Sequence, residues 1–470
     1  MTDKFNANAS HPNTTQDDKA ARPTKAVPSS RLGRVSRLGF LATKVAGNVV
    51  AKGAEQWLKG EKPALSSLLL TPKNIANIAD ELASMRGAAM KLGQLISMDT
   101  GDFLPPELAN ILARLRDDAD PMPKSQLVEV LNEAWGNDWQ DKLLYFSFAP
   151  VAAASIGQVH KAITLDGVTL AIKVQYPGVK KSIDSDVDNV ATLIKLTGLV
   201  PSSLDIQPLL EQAKQQLHQE ADYSREANML TRYRSALSHA DSENVLGDEA
   251  SSEAPSRFIV PQVYESLTTN TVLAMDFVKG KAADVLLSQP QEVRDQAMTQ
   301  LMALFFQEIF EFKLLQSDPN LANYLFDTQT QRWVLLDFGA TRDIPDNIAQ
   351  GYQQLLKSAA LNNADMMREA ALDIGLIHAT HCQQQQEAVV NIGLEACEAI
   401  RVSGAYDFGK SDLIARLHDK GMALTNEHDF WHTPPIDALF IHRKLGGLYL
   451  LAKRLGARVN MQDAAAKWLV

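Results

Sequence analysis

The chain has 470 residues, 45% of them hydrophobic and 22% charged, which is ample apolar material for a core. Its net charge of −10 is uneven: residues 1–60 hold ten Lys/Arg against four Asp/Glu, so that segment carries +6 and the remainder −16. The acidic body argues against a general nucleic-acid binder, and two cysteines, Cys382 and Cys397, cannot form a disulfide framework.

Residues 1–30 are rich in Asn, Ser, Thr, Pro and Asp and read as a disordered leader. They lack the charged start and apolar block of a secretory signal. Residues 31–58 mix Arg31, Arg34, Arg37, Lys44 and Lys52 with Leu38, Leu41, Val45, Val49, Trp57 and Leu58. Such a basic, loosely amphipathic stretch suits an anionic membrane surface, or equally a helix packed on the body with a solvated basic face. Thr71-Pro72 has the form of an N-cap followed by proline at the first helical position. After it, Ile75, Ile78, Leu82, Met85, Ala89, Leu92 and Ile96 recur at helical spacing, with Lys91 and Gln94 sharing a face.

Between 144 and 176 the period becomes two: Val168, Leu170, Ile172 and Val174 alternate with Thr169, Ala171, Lys173 and Gln175, after an Asp166-Gly167 turn. This predicts a β-hairpin with Lys173 on its second strand. Helices are expected over 183–238, an acidic loop over 239–256, strands over 258–277 and a helix over 290–315. Two short strands follow, Tyr324–Phe326 and Trp333–Leu336, and beyond Asp343 the chain reads helical. No apolar run reaches the roughly 18 residues of a membrane-spanning helix.

The order of polar residues along these elements points to chemistry. A strand carries Lys173, a helix carries Glu226, Asp318 precedes Asn323 by five positions, and a strand runs into Asp337-Phe-Gly339. That is the order of a kinase active site. The strand lysine would neutralise α- and β-phosphates, with the helix glutamate restraining its flexible stem. Asn323 and Asp337 offer the hard oxygens Mg²⁺ prefers, and Asp318 would orient, or accept a proton from, an attacking hydroxyl or water. Any one of these side chains alone would more ordinarily be a surface ion pair, a turn residue or a cap; the ordered set is specific.

Two other patterns are weaker. Gly404-Ala-Tyr-Asp-Phe-Gly409-Lys410-Ser411 matches a P-loop by letter, but helical sequence precedes it where a strand is needed, and Tyr406 and Phe408 would crowd the phosphates. His378, His381 and Cys382 lie close in sequence but lack a second ligand pair for zinc.

With these motifs in view, the chain resembles the UbiB/ADCK family of atypical kinase-like proteins over about residues 70–460. Lys91-Leu-Gly-Gln94 matches its Lys-x-Gly-Gln motif, and Ala152-Ala153-Ala154-Ser155 its alanine-rich loop in place of a glycine-rich one. Glu220-Ala-Asp222 followed by Glu226 matches its Glu-x-Asp motif, and Gln316-Ser-Asp318-Pro-Asn-Leu-Ala-Asn323 looks closest to the mitochondrial-type branch associated with coenzyme Q (ubiquinone) biosynthesis.

The resemblance implies an α+β, two-lobed protein-kinase-like fold: a leader (1–30), a basic stretch and helical extension (31–140), an N-lobe (141–280) and a helix-rich C-lobe (281–470). ATP or ADP and Mg²⁺ are the implied cofactors. Ala152, Ala153, Ala154, Ser155 and Lys173 would contact nucleotide, and Asn323 and Asp337 metal. Lys173, Glu226 and Asp318 would serve turnover, while Lys91 and Gln94 would face Glu220 and Asp222 and occlude the site. Alanines keep a Cβ where glycine has none, so nucleotide is expected in an altered pose. No Ala-Pro-Glu follows Asp337, so the platform for a peptide substrate looks absent.

These features predict an ATPase or small-molecule phosphotransferase supporting ubiquinone biosynthesis. The expected partners are an anionic membrane surface, lipid intermediates and biosynthetic enzymes, with no nucleic acid. The expected location is cytoplasmic and peripheral at an inner membrane, with the mitochondrial matrix as the alternative. The rival functions are a nucleotide-gated lipid- or protein-binding module with little turnover, and a true protein kinase.

Overall fold

The computed structural model describes residues 122–154, 156–197, 207–245, 256–318, 320–428 and 434–469. The expected leader, the basic stretch 31–58, the helix bearing Lys91 and Gln94, and Ser155 lie outside the described residues.

The chain divides into two units, Met1–Ala227 with Val263–Phe277, and Asn228–Gln262 with Val278–Val470. In chain order the elements begin with helix α1 (Lys124–Trp135) and strands β1 (Leu143–Phe146), β2 (Ala152–Ala154), β3 (Gly157–Thr164) and β4 (Thr169–Gln175). Helices α2 (Val179–Thr197), α3 (Gln207–Glu220) and α4 (Tyr223–Val245) follow, then strands β5 (Phe258–Ile259), β6 (Val272–Asp276) and β7 (Lys281–Ala282). Next come α5 (Gln291–Phe310), β8 (Leu314–Gln316), β9 (Tyr324–Asp327), β10 (Arg332–Leu335) and β11 (Thr341–Asp343). The remainder is α6 (Asp346–Ala360), α7 (Ala364–Asp373), α8 (Gln383–Ala396), β12 (Tyr406–Asp407), α9 (Leu413–His428), α10 (Ile436–Leu455), β13 (Arg458–Val459) and α11 (Met461–Leu469).

The first unit is built on an antiparallel sheet ordered β1-β3-β4-β6, with β2 also paired to β3. Its central hairpin closes where the sequence predicts. Gly167 adopts φ +87°, a conformation that costs glycine little, and Thr164 N donates to Val168 O at 2.9 Å. On one face of β4, Leu170, Ile172 and Val174 join a core containing Trp135, Trp139 and Phe146. Helix α1 covers this face because Leu127, Val130, Leu131 and Trp135, at helical spacing, are all buried. Each such side chain stabilises the fold by about 1.5–3 kcal/mol.

The other face of β4 is covered as well. Lys173 and Gln175 are also buried, because β4 is an interior strand covered on both sides. Gln175 satisfies its amide there by donating Nε2 to Ala221 O at 3.1 Å.

A buried polar chain ties β3 to the segment just before α1 and to the one just after β1. His160 Nδ1 pairs with Ser147 O at 2.8 Å and Nε2 with Gln158 Nε2 at 2.8 Å, while Met122 N donates to Gln158 Oε1 at 3.0 Å. A carbonyl on Nδ1 assigns the ring proton to that nitrogen and leaves Nε2 to accept. Burial pulls the imidazole down to about 4, outweighing the Ser147 carbonyl. The unfolded ring, near 6.5, therefore binds a proton that the folded ring refuses between those values. Stability from this group is intact above about pH 6.5 and falls by on the order of 3 kcal/mol as pH drops towards 4. The urea midpoint should decline from pH 7 to pH 4.5, and His160→Gln should flatten the decline; identical slopes in the two proteins would discard His160 as its source.

In the second unit β5 pairs in parallel with β10 in the order β5-β10-β9-β7, and β8 pairs with β11. Helix α5 is buried nearly all round (Met298, Leu301, Leu304, Phe305, Ile309), as befits a core helix. Four expectations change. The helix expected over 290–315 ends at Phe310, and Leu314–Gln316 pairs with β11 as strand β8. Helix α4 runs to Val245, into the expected acidic loop, where Ala240 and Glu243 are good helix formers. Residues 258–277 form only β5 and β6, separated by a 3₁₀ turn at Glu265–Leu267. The expected all-helical tail contains the two-residue pair β12–β13. Among the described residues, no helix is long and apolar enough to cross a membrane.

Candidate functional site

Each unit assembles part of the predicted constellation. In the first, Lys173 projects from β4 and donates Nζ to both carboxylate oxygens of Glu226, at 2.8 Å each. The lysine is 6% exposed and the glutamate 1%. The pair also has an aromatic floor: Nζ lies 5.1 Å from the centroid of the Tyr223 ring.

Glu226 sits in the first turn of α4, where the helix dipole favours a carboxylate. Asp222 starts that helix: its Oδ1 accepts from Arg225 N at 3.1 Å and its carbonyl from Glu226 N at 3.0 Å. Asn270 holds the same segment, accepting from Tyr223 N through its carbonyl and from Ser224 Oγ at 2.7 Å. Glu220 is the buried last residue of α3. The expected partners of Glu220 and Asp222, Lys91 and Gln94, are outside the described residues.

The alanine-rich segment is a regular strand. Ala152 pairs with Val159, which pairs with Lys173, so these three occupy one cross-strand row and share a face. Ala153 pairs with Gln158 and Ala154 with Gly157. A Cβ at Gly157 would lie 2.3 Å from Val174 O and 2.8 Å from Tyr223 Oη, so only glycine permits this approach of β3 to the Lys173 floor.

The second unit gathers Asp318, Asn323 and Asp337. Asn323 donates Nδ2 to Asp318 Oδ2 at 3.2 Å, and Leu336 N donates to Asn323 O at 2.8 Å, bringing the end of β10 to the Asn323 turn. Asp318 Oδ1 accepts from Asn320 N and from Arg443 Nη2, both at 3.3 Å. Asp337 adopts φ +58°, a left-handed conformation that costs a residue with a Cβ about 1–2 kcal/mol. Its Oδ1 accepts from Gly339 N at 3.1 Å, and the next residue, Phe338, is fully buried against Tyr233 at 4.9 Å between ring centroids.

The donor set fits Mg²⁺: hard oxygens from one carboxylate and one carboxamide, with Asn323 Nδ2 committed to Asp318 and its Oδ1 thereby turned the other way. Among the described residues, no group of three or more His, Cys, Asp or Glu could hold a metal unaided.

Sequence reasoning missed what lies beneath these residues. Glu308 on α5 and Lys444 on α10 form a buried ion pair at 2.8 Å. Tyr233 Oη donates to Glu308 at 2.7 Å, and Gln316 N does so at 3.2 Å. Burial pushes the Glu308 carboxyl above the usual carboxylate range, against the opposing pull of Lys444. Burial alone would pull Lys444 down, and Glu308 facing it turns the shift upward. One signal was available. Glu308 interrupts the apolar run Met302–Phe310, and Arg443-Lys444 interrupts the apolar stretch from Ala438 to Ala452. Charges placed inside core helices announce partners.

The other motifs stay apart from this chemistry. The P-loop-like segment follows helix α8 and a 3₁₀ turn, Phe408 is buried, and Lys410 is a largely exposed residue 3.6 Å from Asp407. His381 Nδ1 accepts from the His378 amide at 3.0 Å, an ordinary turn contact.

A family profile described as the ABC1 atypical kinase-like domain matches residues 114–371. The Saccharomyces cerevisiae protein named "Atypical kinase COQ8, mitochondrial" is 34% identical over 447 residues, covering 95% of this chain and 86% of its own. The Rattus norvegicus protein named "Atypical kinase COQ8B, mitochondrial" is 34% identical over 454 residues, covering 95% and 83%. Among solved structures, Rv3197 of Mycobacterium tuberculosis, determined with erythromycin, is alike in fold, with a TM-score of 0.55 and 21% identity over 91% of this chain and 98% of that one.

Proposed function

The chain belongs to the ABC1 atypical kinase-like family, of kinase and phosphotransferase class, and on that premise we propose that it binds Mg-ATP and hydrolyses it or passes its phosphate to a small acceptor. The observation that carries the proposal is the buried Lys173–Glu226 pair, with two contacts of 2.8 Å, on the strand that β3 separates from the alanines of β2. A lysine held this way presents a fixed positive charge suited to α- and β-phosphates. When bound, Mg²⁺ would neutralise charge developing on the phosphates. Asn323 and Asp337 would hold it, and Asp318, restrained by Asn323 and Arg443, would orient the attacking oxygen. Ala152–Ala154 would border the nucleotide without the close backbone approach that glycines allow.

The further role proposed is support of ubiquinone biosynthesis at a membrane surface, as the UbiB/ADCK motifs imply. Residues 31–58 would contact anionic lipid, and Lys91 and Gln94 would close over Glu220 and Asp222. The proposed location is peripheral at an inner membrane, cytoplasmic in a bacterium or matrix-facing in a mitochondrion. The relatives named mitochondrial favour the second.

A second reading, a lipid-binding module gated by nucleotide, is favoured by one observation. The second unit contains a cavity of about 430 Å³ with an almost wholly apolar wall, including Phe305, Tyr352, Val390, Leu417 and Tyr449. Binding of Mg-ATP and release of phosphate by the purified chain, with and without anionic vesicles, separates the two. Binding with slow, lipid-stimulated release supports the phosphotransferase. Binding with no release supports the module. Asp337→Asn should lose Mg²⁺-dependent binding under either reading, and unaltered binding by that variant would remove the proposed metal site.

A further inference from the structure

We propose that Arg443 and Lys444, adjacent on α10, are the positioning residues of the second unit. Arg443 orients the Asp318 carboxylate, and Lys444, acting through Glu308 and Gln316, holds Asp337 in its left-handed conformation. The inference rests on the roles proposed above for Asp318 and Asp337.

Both cations are buried, Arg443 at 7% and Lys444 at 2% exposure, and both reach oxygens of the protein. Burying a cation is costly unless partners are close and well aligned. Arg443 meets Asp318 Oδ1 at 3.3 Å, and the same oxygen accepts from Asn320 N. With Asn323 Nδ2 on Asp318 Oδ2, the carboxylate is held at both oxygens.

Lys444 reaches Asp337 in two steps. Its Nζ donates to Glu308 at 2.9 Å and to the backbone carbonyl of Gln316 at 3.0 Å. Gln316 N in turn donates to Glu308, which grips the residue from both sides of its backbone. Both ends of the Gln316 side chain are then engaged. Its Oε1 accepts from Tyr324 Oη at 3.0 Å, and its Nε2 donates to Leu336 O at 2.9 Å and Asp337 O at 2.8 Å. A left-handed non-glycine residue persists only where its surroundings over-determine it, and the Gln316 amide on the Asp337 carbonyl is such a constraint. Gln316 also lies two residues before Asp318, with Ser317 Oγ donating to Ala340 O at 2.7 Å between them. One clamp therefore registers the Asp318 segment against the Asp337 segment.

The test uses the full-length chain and three variants, with fluorescent ADP as the binding probe and Mg²⁺ as the titrant. Gln316→Leu should raise the Mg²⁺ concentration for half-maximal nucleotide binding by about tenfold or more, as loss of groups supporting metal ligands usually does. Nucleotide affinity at saturating Mg²⁺ should change little. A merely structural residue would weaken binding at every Mg²⁺ concentration or not at all. Arg443→Met should lower kcat for phosphate release by about a hundredfold with KM nearly unchanged, the signature of a misoriented group, and Arg443→Lys should restore part of the loss. Should Arg443→Met fail to fold, Arg443→Lys and Gln316→Leu carry the same comparison. An unshifted Mg²⁺ requirement in Gln316→Leu, or kcat unchanged in the Arg443 variants, overturns the inference. Asp337→Asn run alongside keeps the two failures distinct. If it binds Mg²⁺-nucleotide normally, the metal site itself is wrong. If it loses binding while Gln316→Leu and the Arg443 variants behave as wild type, only the positioning role falls.

Discussion

Lys173→Met is expected to destabilise the protein by about 3–5 kcal/mol and to abolish nucleotide binding. The stability loss comes from Glu226, which at 1% exposure would keep a carboxylate in the interior after losing its cation. Replacing both partners, Lys173→Met with Glu226→Leu, removes the charge and its desolvation together. Most of the stability should return, because a buried ion pair is often no better than a well-packed apolar one. Nucleotide binding should not return, since the cation proposed to face the phosphates is still missing. Urea unfolding of wild type, both single variants and the double variant gives the coupling energy directly. If Lys173→Met unfolds at the wild-type midpoint, the pair is not the buried unit described. If the double variant binds Mg-ATP as wild type does, Lys173 has no role in the site.

The second large effect is expected at Glu308. Glu308→Ala removes the partner of Lys444 at 2.8 Å and the acceptor for Tyr233 Oη and Gln316 N. A loss of about 3–5 kcal/mol follows from the uncompensated ammonium alone. Here the double replacement, Glu308→Met with Lys444→Met, should recover less than its counterpart at Lys173. Two buried donors remain without their acceptor, each worth about 1–3 kcal/mol. Adding Tyr233→Phe to the double variant removes one of those donors and should raise the urea midpoint again. A Glu308→Ala protein as stable as wild type would show that Glu308 is not the centre of this network.

The two buried pairs differ in how far they could be read from sequence. Lys173 and Glu226 were legible because each sits on an element with a clear period, a β-hairpin strand and a helix start, in an order few other chemistries use. The conspicuous glycine at 167 marked the turn that sets the hairpin. Asp318, Asn323 and Asp337 were legible for the same reason of order and spacing. Glu308, Arg443 and Lys444 carried only a weak signal, a charge inside an apolar helix, with nothing to say which charge meets which. The pairing of Lys444 with Glu308 spans 136 residues and depends on how α10 packs against α5, which periodicity does not encode. The burial of both faces of β4 was likewise hidden, since alternation of residue type says which side a residue faces and not what covers that side.

The sequence by itself determined the order of the candidate groups. It placed Lys173, Glu226, Asp318, Asn323 and Asp337 along regular elements in the order of an atypical kinase, and their roles toward phosphate and metal are the ones proposed above. Only the tertiary structure decided how they are held. It set the two 2.8 Å contacts between Lys173 and Glu226, the floor made by Tyr223, the left-handed turn at Asp337 and the clamp of Glu308, Lys444 and Gln316. The physical reason is desolvation. Once a charge leaves water, its stability depends on which distant groups pack against it, and that choice is made by the packing of whole helices and sheets rather than by any local run of residues.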